Sequence, residues 1–219
     1  MTRDELVREF RIATQDRVDP YRWPTDWLEG WLKEAEAEAC VRARLLHESE
    51  NEDVCEVDVY AGEGSFPLHP ALYEIDHIAY RQAGETCRRP IRLVSQEWLD
   101  DNLRDWRDRA GRPEYAIQGD TTIRLIPKPD ADGVLLLEGY RTPLERTGEW
   151  RPEIHRAHHL QLLQWLLFRA YSVPDADLAD PQRAAMAEGT FTDYFGARSD
   201  SDLRRITRED ADHHNKAWV

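Results

Sequence analysis

Apolar residues fall at helical spacing at both ends of the chain and at strand spacing in the middle. In residues 2–12, Leu6, Val7 and Phe10 mark one helix face, with Thr2 placed to cap it. RVDPYRWP (17–24) carries two prolines and predicts a turn. From Pro24 to Glu48 the pattern predicts a long helix, with Thr25 as its N-cap and acidic residues in its first turn. Its stripe runs Leu28, Trp31/Leu32, Ala35, Ala39, Ala43 and Leu46. The aromatic end suits a core, whereas alanines at four-residue steps let another helix approach closely. Trp23, Trp27 and Trp31 are placed to lock the turn into this helix, and Gly30 weakens it without ending it.

Near residue 53 the period drops to two. VCEVDVY (54–60) alternates as a strand with one wet face does, and AGEG turns the chain. SFPLHPALYEIDHIAY continues as an irregular strand around Pro67 and Pro70, and RRPIRLV is a further strand. SQEWLDDNLRDWRD predicts a short helix capped by Ser95. EYAIQGDTTIRLIP predicts a hairpin around Gln118-Gly119-Asp120, and VLLLEGYR the last strand. Helical spacing returns at Pro152, which suits the first helical position, with Glu153 in the first turn. Residues 160–171 are apolar on nearly every side, so this helix belongs deepest in the core. DADLADPQ is a loop, after which Asp180 caps a last helix, Pro181 takes its first position and Gly196 ends it.

These elements predict an α+β fold. A helical bundle core is built from the N- and C-terminal segments, with an inserted β-rich block and a flexible C-terminal tail. The expected boundaries are 1–52 and 151–196 for the bundle, 53–150 for the β-rich region, and 197–219 for a polar tail that a partner would order.

Charge narrows the partners. The 219 residues carry a formal net charge of −14, which disfavours sequence-specific DNA binding, because such binding draws on Lys and Arg against phosphate. RRPIR (88–92) is the one compact basic run, and reads as solvated surface. There is no apolar run of membrane length, and the polar N-terminus does not read as a signal peptide or an anchor. Cys40, Cys55 and Cys87, odd in number and far apart, read as reduced thiols of a protein assembled in a cytoplasm.

The strongest candidate for chemistry is PEIHRAHHLQLLQWLLFRAY. On a helix from Pro152, His155 and His159 would share a face and His158 would be offset by about 100°. Zinc would need a further ligand there; Glu153 is badly placed, and the HExxH order is absent. The face continues into Leu163, Leu166/Leu167 and Ala170, so histidines packed or hydrogen-bonded in the core are the simpler expectation. No nucleophile elbow or phosphate loop is present, and neither an enzyme nor a cofactor or metal is expected.

Three stretches in this order resemble the head-to-tail adaptor (connector) proteins of tailed bacteriophages. They are WPTDWLEGWLKEAEAEACVRARLL, EYAIQGDTTIRLIPKPDADGVLLLEGYRTPL and EIHRAHHLQLLQWLLFRAYSVPDADLADPQRAAMAEGTFTDYFG. His155 near a helix start, Arg169-Ala170-Tyr171 at its end and the acidic loop 174–180 match in kind, and the likeness spans about residues 3–196. The resemblance implies a structural virion protein at the neck between head and tail, assembled in the host cytoplasm. It implies a ring of twelve copies that binds the portal protein on one side and a tail or nozzle/stopper protein on the other. Double-stranded DNA would pass through that ring without sequence-specific binding, with no membrane involved. On this reading Leu203, Ile206, Trp218 and Val219 of the tail dock on the portal. Trp27, Trp31, Ala35, Ala39 and Ala43 would pack subunits together. Competing readings are another neck or tail-completion protein, a soluble interaction domain outside any virus, and a metal-dependent hydrolase built on His155, His158 and His159.

Overall fold

A computed structural model describes residues 1–145, 150–175, 177–198 and Leu203. The fold is α+β: the N- and C-terminal helices pack together and the sheets lie in the central part of the chain. The chain divides into two compact units. The described part of the helical unit is 1–48, 71–73, 140–145, 150–175 and 177–198; that of the β unit includes 49–70 and 74–139.

The helical unit begins with α1 (Arg3–Thr14). Thr2 accepts a hydrogen bond from the Glu5 amide while the Glu5 side chain accepts one from the Thr2 amide, a reciprocal cap. Helix α2 (Thr25–Ala43) departs from expectation at both ends. Pro24, not Thr25, is its N-cap, and no side chain caps it. The Thr25 hydroxyl instead accepts a hydrogen bond from Arg11 at 3.0 Å. The helix stops at Ala43 because Arg44 is left-handed (φ 52°), so Leu45 and Leu46 reach the core from outside it. Beyond the β unit come α5 (Leu162–Tyr171) and α6 (Pro181–Phe195), the latter capped by Asp180 and ended by Gly196 at φ 92°. Helix α5 packs on α1, α2 and α6. Leu6, Phe10, Leu28, Leu32, Ala35, Ala39, Leu162, Leu166, Ala170 and Phe191 are fully buried in one cluster.

The expected helix from Pro152 is corrected. Residues 152–155 are not helical, a 3-10 turn spans Arg156–Gln161, and α-helical geometry begins at Leu162. His155 is the N-cap of that turn, its Nδ1 accepting from the Ala157 amide at 3.2 Å. A 3-10 turn has three residues per turn, so the side chains do not follow the face that a helix would give them.

In the β unit the expected strand 54–60 is shortened. Asn51 caps a single helical turn, α3 (Glu52–Cys55), which buries Val54 and Cys55, and the strand is Glu56–Val59. It pairs antiparallel with Gly133–Arg141, which neighbours Leu72–Gln82, which in turn pairs with Arg89–Pro90. A Cβ on Gly139 would strike the backbone of Glu74 and Ile75, so these strands come closer there than any other residue permits. A second sheet runs Ser65–Pro67, Thr122–Ile126, Tyr115–Gln118, Arg92–Leu93, and its central pair is the expected hairpin. Helix α4 (Gln96–Asn102), capped by Ser95 as expected, contributes Leu99 to a cluster with Val94, Trp106 and Ile126.

Candidate functional site

The three histidines of the helical unit diverge. His155 is exposed, His158 half-buried and His159 buried. His159 lies between the Met1 amino group, 2.7 Å from its Nδ1, and the Ile154 carbonyl, 2.9 Å from its Nε2. A carbonyl only accepts, so the ring carries its proton on Nε2 and accepts from the ammonium at Nδ1. Burial, helped by the charges of the Met1 amine and Arg156, pushes the His159 pKa below the usual range, against the opposing bond to Ile154. His158 turns the other way, onto the Tyr194 hydroxyl at 3.1 Å and beside the Phe195 ring. Core packing therefore describes His159 and corrects the expectation for His155. Among the described residues, no group of three or more His, Cys, Asp or Glu is placed to hold a metal ion.

The chemistry that burial concentrates in the helical unit is structural. Arg141, at the end of the last strand, donates to Glu48 at 2.9 Å and to both oxygens of Glu153, at 2.6 and 3.1 Å. These bonds hold the Arg141 pKa above its ordinary value. Glu36 of α2 is 1% exposed, and its Oε1 accepts from the amides of Glu153 and Ile154. The Cys40 thiol near these carboxylates is pushed up, first by burial and then by the Glu36 and Glu153 charges, so it stays protonated and unreactive at neutral pH. The network ties the strand end and the start of the last helical pair to α2. Sequence reading missed it, because Glu36 and Glu153 are 117 residues apart and look like ordinary surface carboxylates.

A second network lies where α6 ends. Arg42 of α2 donates to Glu38 at 2.8 Å, to Thr192 at 2.9 Å and to the Gly196 carbonyl at 3.3 Å, and lies over the rings of Trp165 and Phe191. Arg198 adds a bond to Glu38 at 2.8 Å and stacks over Tyr73. The chain leaving α6 is thereby held against α2 as far as Arg198.

A family model described as SU10 adaptor protein matches residues 1–212. The chain belongs to the SU10 adaptor protein family. That is a phage head-tail adaptor family, as the order of its segments led us to expect, and it implies binding to head or tail components of the virion. A search of curated proteins finds no match.

In this SU10 adaptor family member the residues singled out for docking and packing are placed unevenly. Ile206, Trp218 and Val219 lie outside the described residues; Leu203 is described and exposed. Ala35 and Ala39 have no exposed surface, because the close helix approach they permit is used within the chain's own core. Ala43 and Trp31 are partly buried against that core. Trp27 is 43% exposed and tilts against Trp31, with ring centroids 6.0 Å apart. Among the described residues no helix is long and apolar enough to cross a membrane.

Proposed function

We propose that this chain is a structural virion protein that joins the portal vertex of the phage head to the tail, as a ring of identical subunits around the DNA channel. The full-length family match carries the reading. The helical unit supports it by spending its buried charges on fixing helices to one another, as in a body that must keep its shape while neighbours attach. The net charge of −14 also suits a channel wall that DNA slides past, since like charges repel the backbone over roughly a Debye length, ~8 Å at physiological salt. The resemblance suggests twelve subunits, with the portal protein on one side and a tail or nozzle/stopper protein on the other. Residues 197–219, with Leu203, Ile206, Trp218 and Val219 as apolar anchors, are the proposed portal-docking arm. The exposed Trp27, beside Trp31, is the proposed subunit contact.

The test is to mix the full chain with portal rings from the same phage and image the mixture by electron microscopy. The expected result is a second ring of density with the portal's symmetry, absent from either component alone. A well-folded chain that leaves portal rings bare would overturn the reading. Deletion of residues 197–219 is expected to abolish that density; an undiminished ring would remove the arm from the proposal.

A further inference from the structure

Helix α1 buries Leu6, Val7, Phe10 and Arg11 and leaves Arg8 and Ile12 exposed. These two, with Asp4, the edges of Val7 and Arg11, and Arg17 and Tyr21 from the following turn, line an open groove of about 460 Å³. Ile12 and Tyr21 are 42% and 41% exposed. The carboxylates around the groove leave it cationic. Asp4 is paired with Arg3 at 3.0 Å and Asp16 with Arg11 at 2.8 Å, while Arg8 has, among the described residues, Glu9 alone as an acidic partner, at 3.6 Å. Arg17 is exposed and has no carboxylate partner among the described residues. An apolar floor with a positive rim is unusual on a chain of net charge −14, and it fits an apolar side chain flanked by acid.

The same unit presents such a group. Asp26 and Trp27 are both exposed in the first turn of α2, and Gly30, one turn on, has open space around it. We propose that the α1 groove seats the Asp26–Trp27 corner of a second copy of this chain. The indole lies on Ile12 and Tyr21, and the Asp26 carboxylate meets Arg8 and Arg17. The inference rests on the ring reading and supplies its contact surface. Knob and groove are different patches, so one copy's knob can sit in the next copy's groove while its own groove takes the knob of a third. In a ring this contact is head-to-tail and repeats, whereas a reciprocal exchange would close on a pair. A large aromatic in a desolvated seat with a rim charge pair is also the usual form of an interface anchor.

The test uses the full chain with Cys87→Ser, since Cys87 is the exposed cysteine while Cys40 and Cys55 are buried. Cysteines are added beside the contact, as Ala13→Cys and Gly30→Cys together, and a short bismaleimide is applied to the free chain and to the chain mixed with portal rings. A ladder of species beyond the dimer is expected from the double variant, and none from either cysteine alone. Trp27→Ala, or Arg8→Glu with Arg17→Glu, should weaken the ladder about tenfold or more, and adding Asp26→Arg to the latter should restore it. Portal rings that gain their second ring with no ladder would overturn this surface and leave the ring reading standing. A double variant whose products stop at the dimer, or a dimer from one cysteine alone, would overturn the head-to-tail contact. A ladder with bare portals would uphold the self-contact and sink the portal reading; neither ladder nor ring would sink both.

Discussion

The two units handle charge in opposite ways. The helical unit buries Arg11, Asp16, Glu36, Arg42, Arg141 and His159, whereas Glu74 is the buried charged residue described in the β unit. The β unit has pairs left partly open to water, Arg107 with Asp100 and Arg112 with Glu85. It relies instead on strand register and on backbone approach at Gly139. A buried pair repays its desolvation only when the geometry is good, so it adds little net stability, yet breaking it is costly. The contrast teaches that helices, which could slide and rotate on an apolar stripe, are pinned here by directional bonds. Sheets are already pinned by their ladders and depend less on such bonds.

The largest expected effect comes from removing the pin. Arg141→Ala takes from the half-buried Glu48 and Glu153 the guanidinium they share, and should cost about 3 kcal/mol in urea unfolding. Arg141→Lys should recover only part, because an ammonium cannot span both Glu153 oxygens. Loss of under about 1 kcal/mol would show that the network is not fixing the helices.

The corresponding strike on the β unit is Gly139→Ala, which pushes a methyl into the Glu74 backbone and should cost about 1–3 kcal/mol or more. Hydrogen exchange should show the loss along Leu72–Gln82 and Gly133–Arg141. Uniform loss across the helices would contradict the separation drawn between the units.

A smaller effect is pH dependence in the helical unit. The folded pKa of His159 is depressed, so its neutral form stabilises the fold above the unfolded value of about 6.5. As pH falls below that value the unfolded chain binds more protons than the folded one, and stability drops until folded His159 itself titrates. The midpoint temperature should fall between pH 7.5 and 5.5, and His159→Gln should flatten that slope. An unchanged slope would remove His159 as its origin.

The smallest effect should be Glu85→Gln. Its pKa is held down mainly by the bond to Arg112, but the pair is partly open to solvent and screened. No shift in thermal midpoint is expected, and a clear loss would mean that the β unit too is held by charge.

Much of the fold was legible because it is written locally. The Thr2, Ser95 and Asp180 caps, the stop at Gly196 and the 115–126 hairpin each depend on residues within a few positions of one another. Expectations failed where a distant group claimed a local one. Arg11 takes the hydroxyl of Thr25, and the burial of His159 under the Met1 amine goes with a 3-10 turn where the pattern predicted helix. Of the residues singled out for subunit packing, Trp27 is exposed, whereas Ala35 and Ala39, on the same helix stripe in sequence, are consumed inside the chain's own core.

The sequence by itself determined the α+β order of elements, the acidic charge and the resemblance to phage adaptors, since periodicity, composition and segment order are properties of the chain. Only the tertiary structure decided which carboxylates are pins and which are surface, which histidine is core, and which helix faces remain free. Those outcomes depend on groups far apart in the chain, such as Arg141 and Glu48, 93 residues apart, meeting where water is excluded.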